Sequence, residues 1–189
     1  MGRLILVLGG VRSGKSDYAE ELAQSLGQTQ VLFVATAEAG DAEMARRIAA
    51  HQQSRPALWR TLEAPRNIGE AIQHDLGDAA VVLVDCITLL VSNVMLALGD
   101  DPDSAQAENA VQDEIQALLR VCRCSPMTCI AVSNEVGLGV VPEHRLGRLY
   151  RDLLGKANQA LAAQADEVYL LVAGLAVELK ALSTPRKTP

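Results

Sequence analysis

Aromatic side chains are scarce in this sequence: one Trp, one Phe and three Tyr, 3% of 189 residues. A core built around large rings is therefore excluded. It must be packed from Leu, Val, Ile and Ala, a composition suited to parallel strands covered on both faces by helices. Basic charge is also short, with 17 Lys and Arg against 23 Asp and Glu and a net charge of −6. No dense basic run occurs, and a nucleic-acid groove needs a positive stripe, so polynucleotide binding is not expected. Cysteine is limited to Cys86, Cys122, Cys124 and Cys129. None forms a C-x-x-C pair, and no second ligand cluster has zinc spacing, which predicts reduced, mostly buried thiols in a cytoplasmic protein. Long apolar runs are missing too. The run over 4–8 is far too short to span a bilayer and reads as a buried first strand, not a signal peptide.

What is present is the profile of an ordinary globular protein: 49% hydrophobic and 21% charged residues. The length fits one domain, placed at 1–180, with 181–189 lacking an apolar pattern and expected to be a flexible tail. Apolar runs over 4–8, 31–35, 80–84, 129–132 and 168–172 read as core strands. Helices are expected over 15–26, 41–53, 68–76, 87–98, 105–121 and 143–165. The first carries Tyr18, Leu22 and Leu26 as its apolar stripe, with Gly27 as C-cap. The second starts at Asp41 and is blocked by Pro56. The stretch 99–104 reads as a surface loop. Strand alternating with helix predicts an α/β fold of P-loop NTPase type (RecA-like): an open, mainly parallel sheet with helices on both faces. Ligands of such sheets sit beyond the carboxyl ends of the strands.

The segment Gly9-Gly10-Val11-Arg12-Ser13-Gly14-Lys15-Ser16 satisfies G-x-x-x-x-G-K-[ST] between a strand and a helix. The glycines permit a tight turn whose N–H groups converge on phosphates, and the following helix adds its dipole. Lys15 is expected to reach the β- and γ-phosphates, and the Ser16 hydroxyl to ligate Mg²⁺. A second carboxylate is expected at the end of a buried strand, where Val81-Val82-Leu83-Val84 runs into Asp85; capping the next helix is the alternative use of that side chain. A switch GTPase is disfavoured because no N-K-x-D motif occurs, and the L-S-G-G-Q stretch of a transporter ATPase is absent.

Arg47, His51 and Arg55 recur at four-residue intervals and share one face if the helix extends that far. Two guanidinium groups would lower the imidazole pKa and keep it neutral, hence nucleophilic toward phosphorus. Spacing alone leaves open a surface histidine with no chemical role.

Four ordered segments together carry a family resemblance: 9–16; Ala45-Arg46-Arg47-Ile48 with His51, Arg55-Pro56, Trp59-Arg60-Thr61 and Glu63; Asp85-Cys86-Ile87-Thr88; and Ser133-Asn134-Glu135-Val136-Gly137-Leu138-Gly139-Val140-Val141-Pro142. They resemble the bifunctional adenosylcobinamide kinase/adenosylcobinamide-phosphate guanylyltransferase family of cobalamin biosynthesis, from about residue 3 to about residue 180. The resemblance implies that a nucleoside triphosphate, ATP or GTP, phosphorylates adenosylcobinamide. GTP then donates GMP to adenosylcobinamide phosphate through a guanylyl-histidine at His51. It implies nucleotide contacts from Gly9, Gly10, Val11, Arg12, Ser13, Gly14, Lys15, Ser16, Ala35, Thr36, Ala37, Gln52, Gln53, Ser54, Arg55, Glu63 and Asp85, and a homotrimer. Ala50 stands where some members carry His, and Asp85 where Glu also occurs. Trp59 is expected to pack rather than stack on guanine, and Asn134 and Glu135 to lie at the ligand edge. A small-molecule kinase without guanylyl transfer, or a non-catalytic nucleotide-binding switch, is the alternative.

Overall fold

The computed structural model describes residues 2–38 and 56–184. Within them seven strands make one sheet in the order β3-β2-β4-β5-β1-β6-β7. These are β1 (Arg3–Gly9), β2 (Val31–Ala35), β3 (Arg60–Glu63), β4 (Val81–Asp85), β5 (Thr128–Asn134), β6 (Glu167–Val172) and β7 (Leu175–Glu178). The helices are α1 (Lys15–Gly27), α2 (Ile68–Asp75), α3 (Ile87–Leu96), α4 (Ser104–Cys124), α5 (Arg145–Gln164) and α6 (Leu179–Leu182). Every strand pairing is parallel except β6 with β7. The expected α/β architecture is thus observed. As in RecA-like sheets, one strand, β5, separates the phosphate-loop strand β1 from β4 with its terminal Asp85. The helix expected over 41–53 lies outside the described residues.

The pleat sorts the core. Leu4, Leu6 and Leu8 join Leu32, Val34, Val82 and Val84 beneath α2 to α5. Ile5 and Val7 join Val31, Phe33, Val81, Leu83, Ile130 and Val132 on the opposite face, against α1. Helices therefore cover both faces, unevenly: among the described residues, α1 covers one and the four helices α2 to α5 the other.

Helix α1 corrects the expected stripe. Its buried residues are Ala19, Ala23 and Gly27, whereas Leu26 is exposed and Tyr18 and Leu22 only flank the cluster. Small residues bring the helix axis close to the sheet, and the larger ones straddle the contact. Gly27 is the last helical residue rather than the C-cap, which is Gln28 at φ 50°. A Cβ on Gly27 would lie 2.8 Å from Val81 Cγ2, so packing, not capping, demands glycine there.

Two strands escape the sequence pattern. The edge strand β3 has the polar sequence Arg-Thr-Leu-Glu and is largely exposed, so no apolar run announces it. Strands β6 and β7 are joined by Ala173-Gly174, both with positive φ (52° and 81°), a two-residue hairpin turn of the type that matches strand twist. The loop expected over 99–104 runs over 97–103, because α3 ends at Leu96 and Asp103 accepts hydrogen bonds from the amides of Ala105 and Gln106 and starts α4 at Ser104. At the other end, Glu178 caps α6, which runs to Leu182, past the boundary at residue 180.

Candidate active site

Strand β1 ends at Gly9, and the chain turns through residues 10–14 into α1. Gly14, the N-cap residue, has φ 88°, a left-handed conformation that glycine adopts without steric cost. Gly9 is demanded by contact: a Cβ would lie 2.3 Å from Ser13 Oγ and 2.9 Å from the Leu171 carbonyl oxygen. The turn closes with Ser13 N donating to Gly10 O (3.3 Å) and Tyr18 N to Gly14 O (3.0 Å). No side chain caps α1. Its first-turn amides are therefore left to an anion, and the helix dipole favours one there. Lys15 folds back over the turn, with Nζ donating to Gly10 O at 3.3 Å. Arg12 and Val11 stand out from the turn, exposed.

Parallel register brings the other candidates to the same edge. Gly9 pairs with Asn134, Asp85 with Val132, and Ala35 with both Asp85 and Glu63. In-register residues of parallel strands point to one face. Counted by twos from Ile130, Leu83 and Phe33, that is the α1 face for Asn134, Asp85 and Ala35. Gly9, Ala35, Glu63, Asp85 and Asn134 thus form a row beside the phosphate turn, with Ala37 just beyond β2 and partly buried.

The N-cap of α3 is Cys86, and no side-chain cap is formed there. Asp85 and Lys15 both act on the Cys86 thiol. Burial and the Asp85 charge push its pKa up to about 11, while Lys15 opposes the rise. The thiol therefore stays protonated at neutral pH. Thr36 is fully buried, and its hydroxyl bridges the Cys86 peptide, donating to the carbonyl and accepting from the amide at 2.7 Å each. It locks the ends of β2 and β4 together.

Trp59 packs, as expected: it is 7% exposed, and Nε1 donates to Gln28 O (2.9 Å) and Gln24 Oε1 (3.2 Å). His51, Gln52, Gln53, Ser54 and Arg55 lie outside the described residues. Sequence reasoning missed Gly174, whose amide donates to Ser13 O at 2.9 Å and ties the β6–β7 hairpin to the phosphate turn. It also missed Asn158 on α5, which accepts from Ser133 Oγ (2.7 Å) and donates to Asn134 O (3.0 Å) beneath the edge. No local pattern marks Asn158, an amide in an amphipathic helix. Gly174 does carry a signal, a glycine second in a two-residue interruption between apolar stretches.

The donor set fits magnesium brought by a nucleotide. Ser16 in the first turn of α1 and Asp85 at the end of β4 are hard oxygen donors. Mg²⁺ in phosphate sites takes one or two protein oxygens and completes its shell with phosphates and water. Among the described residues, no group of three or more His, Cys, Asp or Glu is arranged to hold a metal without such help.

Residues 5–179 match the family model for cobinamide kinase / cobinamide phosphate guanyltransferase. The bifunctional adenosylcobalamin biosynthesis protein CobU of Salmonella typhimurium is 48% identical over 182 residues, covering 94% of this chain and 99% of that protein. CobU of Escherichia coli K12 is 44% identical with the same coverage. CobP of Pseudomonas aeruginosa is 45% identical over 175 residues, 93% of this chain and 96% of that protein. Among solved structures, the flagellar accessory protein FlaH of Methanocaldococcus jannaschii is similar at a TM-score of 0.46 and 14% identity, over 93% of this chain and 75% of that one.

Proposed function

The chain belongs to the cobinamide kinase / cobinamide phosphate guanyltransferase family, and on that premise we propose that both of its reactions draw on one nucleotide cradle, with His51 as the guanylyl carrier. It is an enzyme of adenosylcobalamin biosynthesis that phosphorylates adenosylcobinamide and transfers GMP to the resulting phosphate. The observation that carries the reading is the shared edge: an uncapped helix start, Lys15 and Asp85 gathered at the carboxyl ends of β1 and β4.

In the kinase step the turn amides of 9–16 bind the triphosphate tail of ATP or GTP. Lys15 leaves Gly10 O for the β- and γ-phosphates, and the acceptor hydroxyl attacks the γ-phosphorus in line as the bond to the β-phosphate oxygen breaks and the nucleoside diphosphate leaves. Magnesium held by Ser16 and Asp85 would neutralise phosphate charge when bound. In the second reaction a neutral imidazole nitrogen of His51 attacks the α-phosphorus of GTP. The bond to the β-phosphate breaks and pyrophosphate leaves, its charge offset by Lys15. An oxygen of adenosylcobinamide phosphate then attacks the guanylyl phosphorus, the P–N bond breaks, and adenosylcobinamide-GDP forms with free His51. Ala35, Ala37, Gln52, Gln53, Ser54, Arg55 and Glu63 line the nucleoside end, while Thr36 shapes the edge from below.

We further read the protein as a cytoplasmic homotrimer. Four free cysteines and use of nucleoside triphosphates support a reducing compartment. Among the described residues no helix is long and apolar enough to cross a membrane. Static light scattering gives the subunit number.

The deciding experiment uses GTP labelled at the α-phosphorus. The wild-type chain is expected to take up an acid-labile, base-stable label. His51→Ala is expected to take up none while still phosphorylating cobinamide from γ-labelled nucleotide. A label that survives in His51→Ala moves the carrier role to another residue, equal loss of both activities gives the His51 side chain a structural role, and no label on the wild-type chain leaves a plain kinase as the better account.

A further inference from the structure

Two side-chain atoms among the described residues are buried with no hydrogen-bond partner, Ser13 Oγ and Asn134 Oδ1. Both border Gly9. Ser13 Oγ lies 2.3 Å from the position of a Gly9 Cβ, and Asn134 is the in-register neighbour of Gly9 on β5. Buried polar atoms are nearly always paired, because an unmade hydrogen bond costs about 1–3 kcal/mol. Ser13 belongs to the phosphate turn itself. Asn134 belongs to no group so far assigned a role in the reaction.

The rest of Asn134 is held firmly. Its amide donates to Thr88 Oγ1 at 2.8 Å, and its carbonyl accepts from Asn158 Nδ2 at 3.0 Å. The next residue, Glu135, donates its amide to Gly9 O at 3.1 Å, bolting β5 to the start of the turn. Only the carboxamide is left over. It stands on the strand between the one that carries the phosphate turn and the one that carries Asp85, and it shares their α1-side face.

We propose that Asn134 is a catalytic residue of the kinase step, its Oδ1 accepting a hydrogen bond from the attacking hydroxyl of the cobinamide substrate and orienting that oxygen toward the γ-phosphorus. The inference rests on the kinase reading above. The chemistry suits a neutral acceptor. A carboxylate at this point would add charge beside a polyanionic triphosphate, whereas an amide oxygen aligns the hydroxyl lone pair without repulsion. Asn134 takes no proton. The new O–P bond forms as the bond to the β-phosphate oxygen breaks, and the hydroxyl proton passes to water by way of the product phosphoryl group.

The test compares wild type with Asn134→Ala and Asn134→Gln, since the backbone bonds that fix position 134 survive both. Phosphate transfer to cobinamide in Asn134→Ala is expected to fall about 100-fold in kcat, with KM for the triphosphate within about threefold. The number of cobinamide molecules phosphorylated per triphosphate consumed is expected to drop as water replaces the misaligned hydroxyl. Asn134→Gln, which keeps the amide, is expected to recover part of that coupling. Ser133→Ala, which loosens Asn158 beneath the edge, serves as the structural control and is expected to leave coupling at the wild-type value. Unchanged coupling in Asn134→Ala, or a loss matched by Ser133→Ala, overturns the proposal. Failure of wild type to phosphorylate cobinamide at all would overturn the kinase reading instead, a separate result.

Discussion

The amide of Gly174 donates to the carbonyl of Ser13 at 2.9 Å, across 161 residues of chain. The tip of the β6–β7 hairpin thereby braces the phosphate turn from outside, and Gly14 rests against it: a Cβ on Gly14 would lie 3.3 Å from Gly174 Cα. Gly174 itself holds φ 81° with open space on its Cβ side. Gly174→Ala should therefore cost only backbone strain, about 1–2 kcal/mol. The thermal midpoint should fall, and the KM for triphosphate should rise in both reactions as the turn loses its brace. Gly174→Asn, which tolerates the left-handed region, should lie between the two. A fall in stability with unaltered KM would show that the brace matters to folding alone.

Gly27 gives the reverse of an ordinary helix substitution. Alanine in a helix interior is favoured over glycine by about 1 kcal/mol. Here its Cβ would press on Val81 Cγ2 at 2.8 Å and Val31 Cγ2 at 2.9 Å, and overpacking of that kind costs about 1–3 kcal/mol. Packing should win or at least cancel the helical gain. The urea midpoint of Gly27→Ala is expected not to exceed that of wild type, and a clear rise would contradict the close packing of α1 on the sheet.

Acid stability should depend on Glu167. Its carboxylate accepts from the Tyr169 hydroxyl at 2.6 Å and pairs with Arg3. The hydroxyl first and the guanidinium second hold its pKa below the ordinary 4.5, against opposition from burial. A depressed folded-state pKa means the contribution is complete above about 4.5 and disappears as pH falls through the lower folded value. Glu167→Gln should cost about 0.5–1 kcal/mol at neutral pH and lose less than wild type on acidification below that point. Parallel stability curves for the two proteins down to acid pH would count against the linkage.

Some of this protein is legible without coordinates because the information is local. The apolar runs ending in Gly9 and Asp85, the glycine spacing before Lys15 and the alternation of strand with helix each lie within a few residues. The physics they report, phosphate cradling by backbone amides and burial of a strand on both faces, acts at the same range. The polar run of β3 carries no such signal, and the hairpin at Ala173-Gly174 carries only its one glycine. An edge strand needs no apolar face, and a two-residue turn has almost no sequence to read.

The rest was decided in three dimensions. The sequence by itself determined that a phosphate turn exists, where it begins, and that an acid follows the right kind of strand. Only the tertiary structure decided that β5 enters between those two strands, setting an unpaired Asn134 carboxamide beside Gly9, and that α1 approaches the sheet through Ala19, Ala23 and Gly27 rather than through its leucines. The reason is the same in both cases. Strand order and helix-to-sheet distance are set by the balance of packing among segments as far apart in the chain as β1 and β5, or α1 and β4, and no local window of sequence holds every side of that balance.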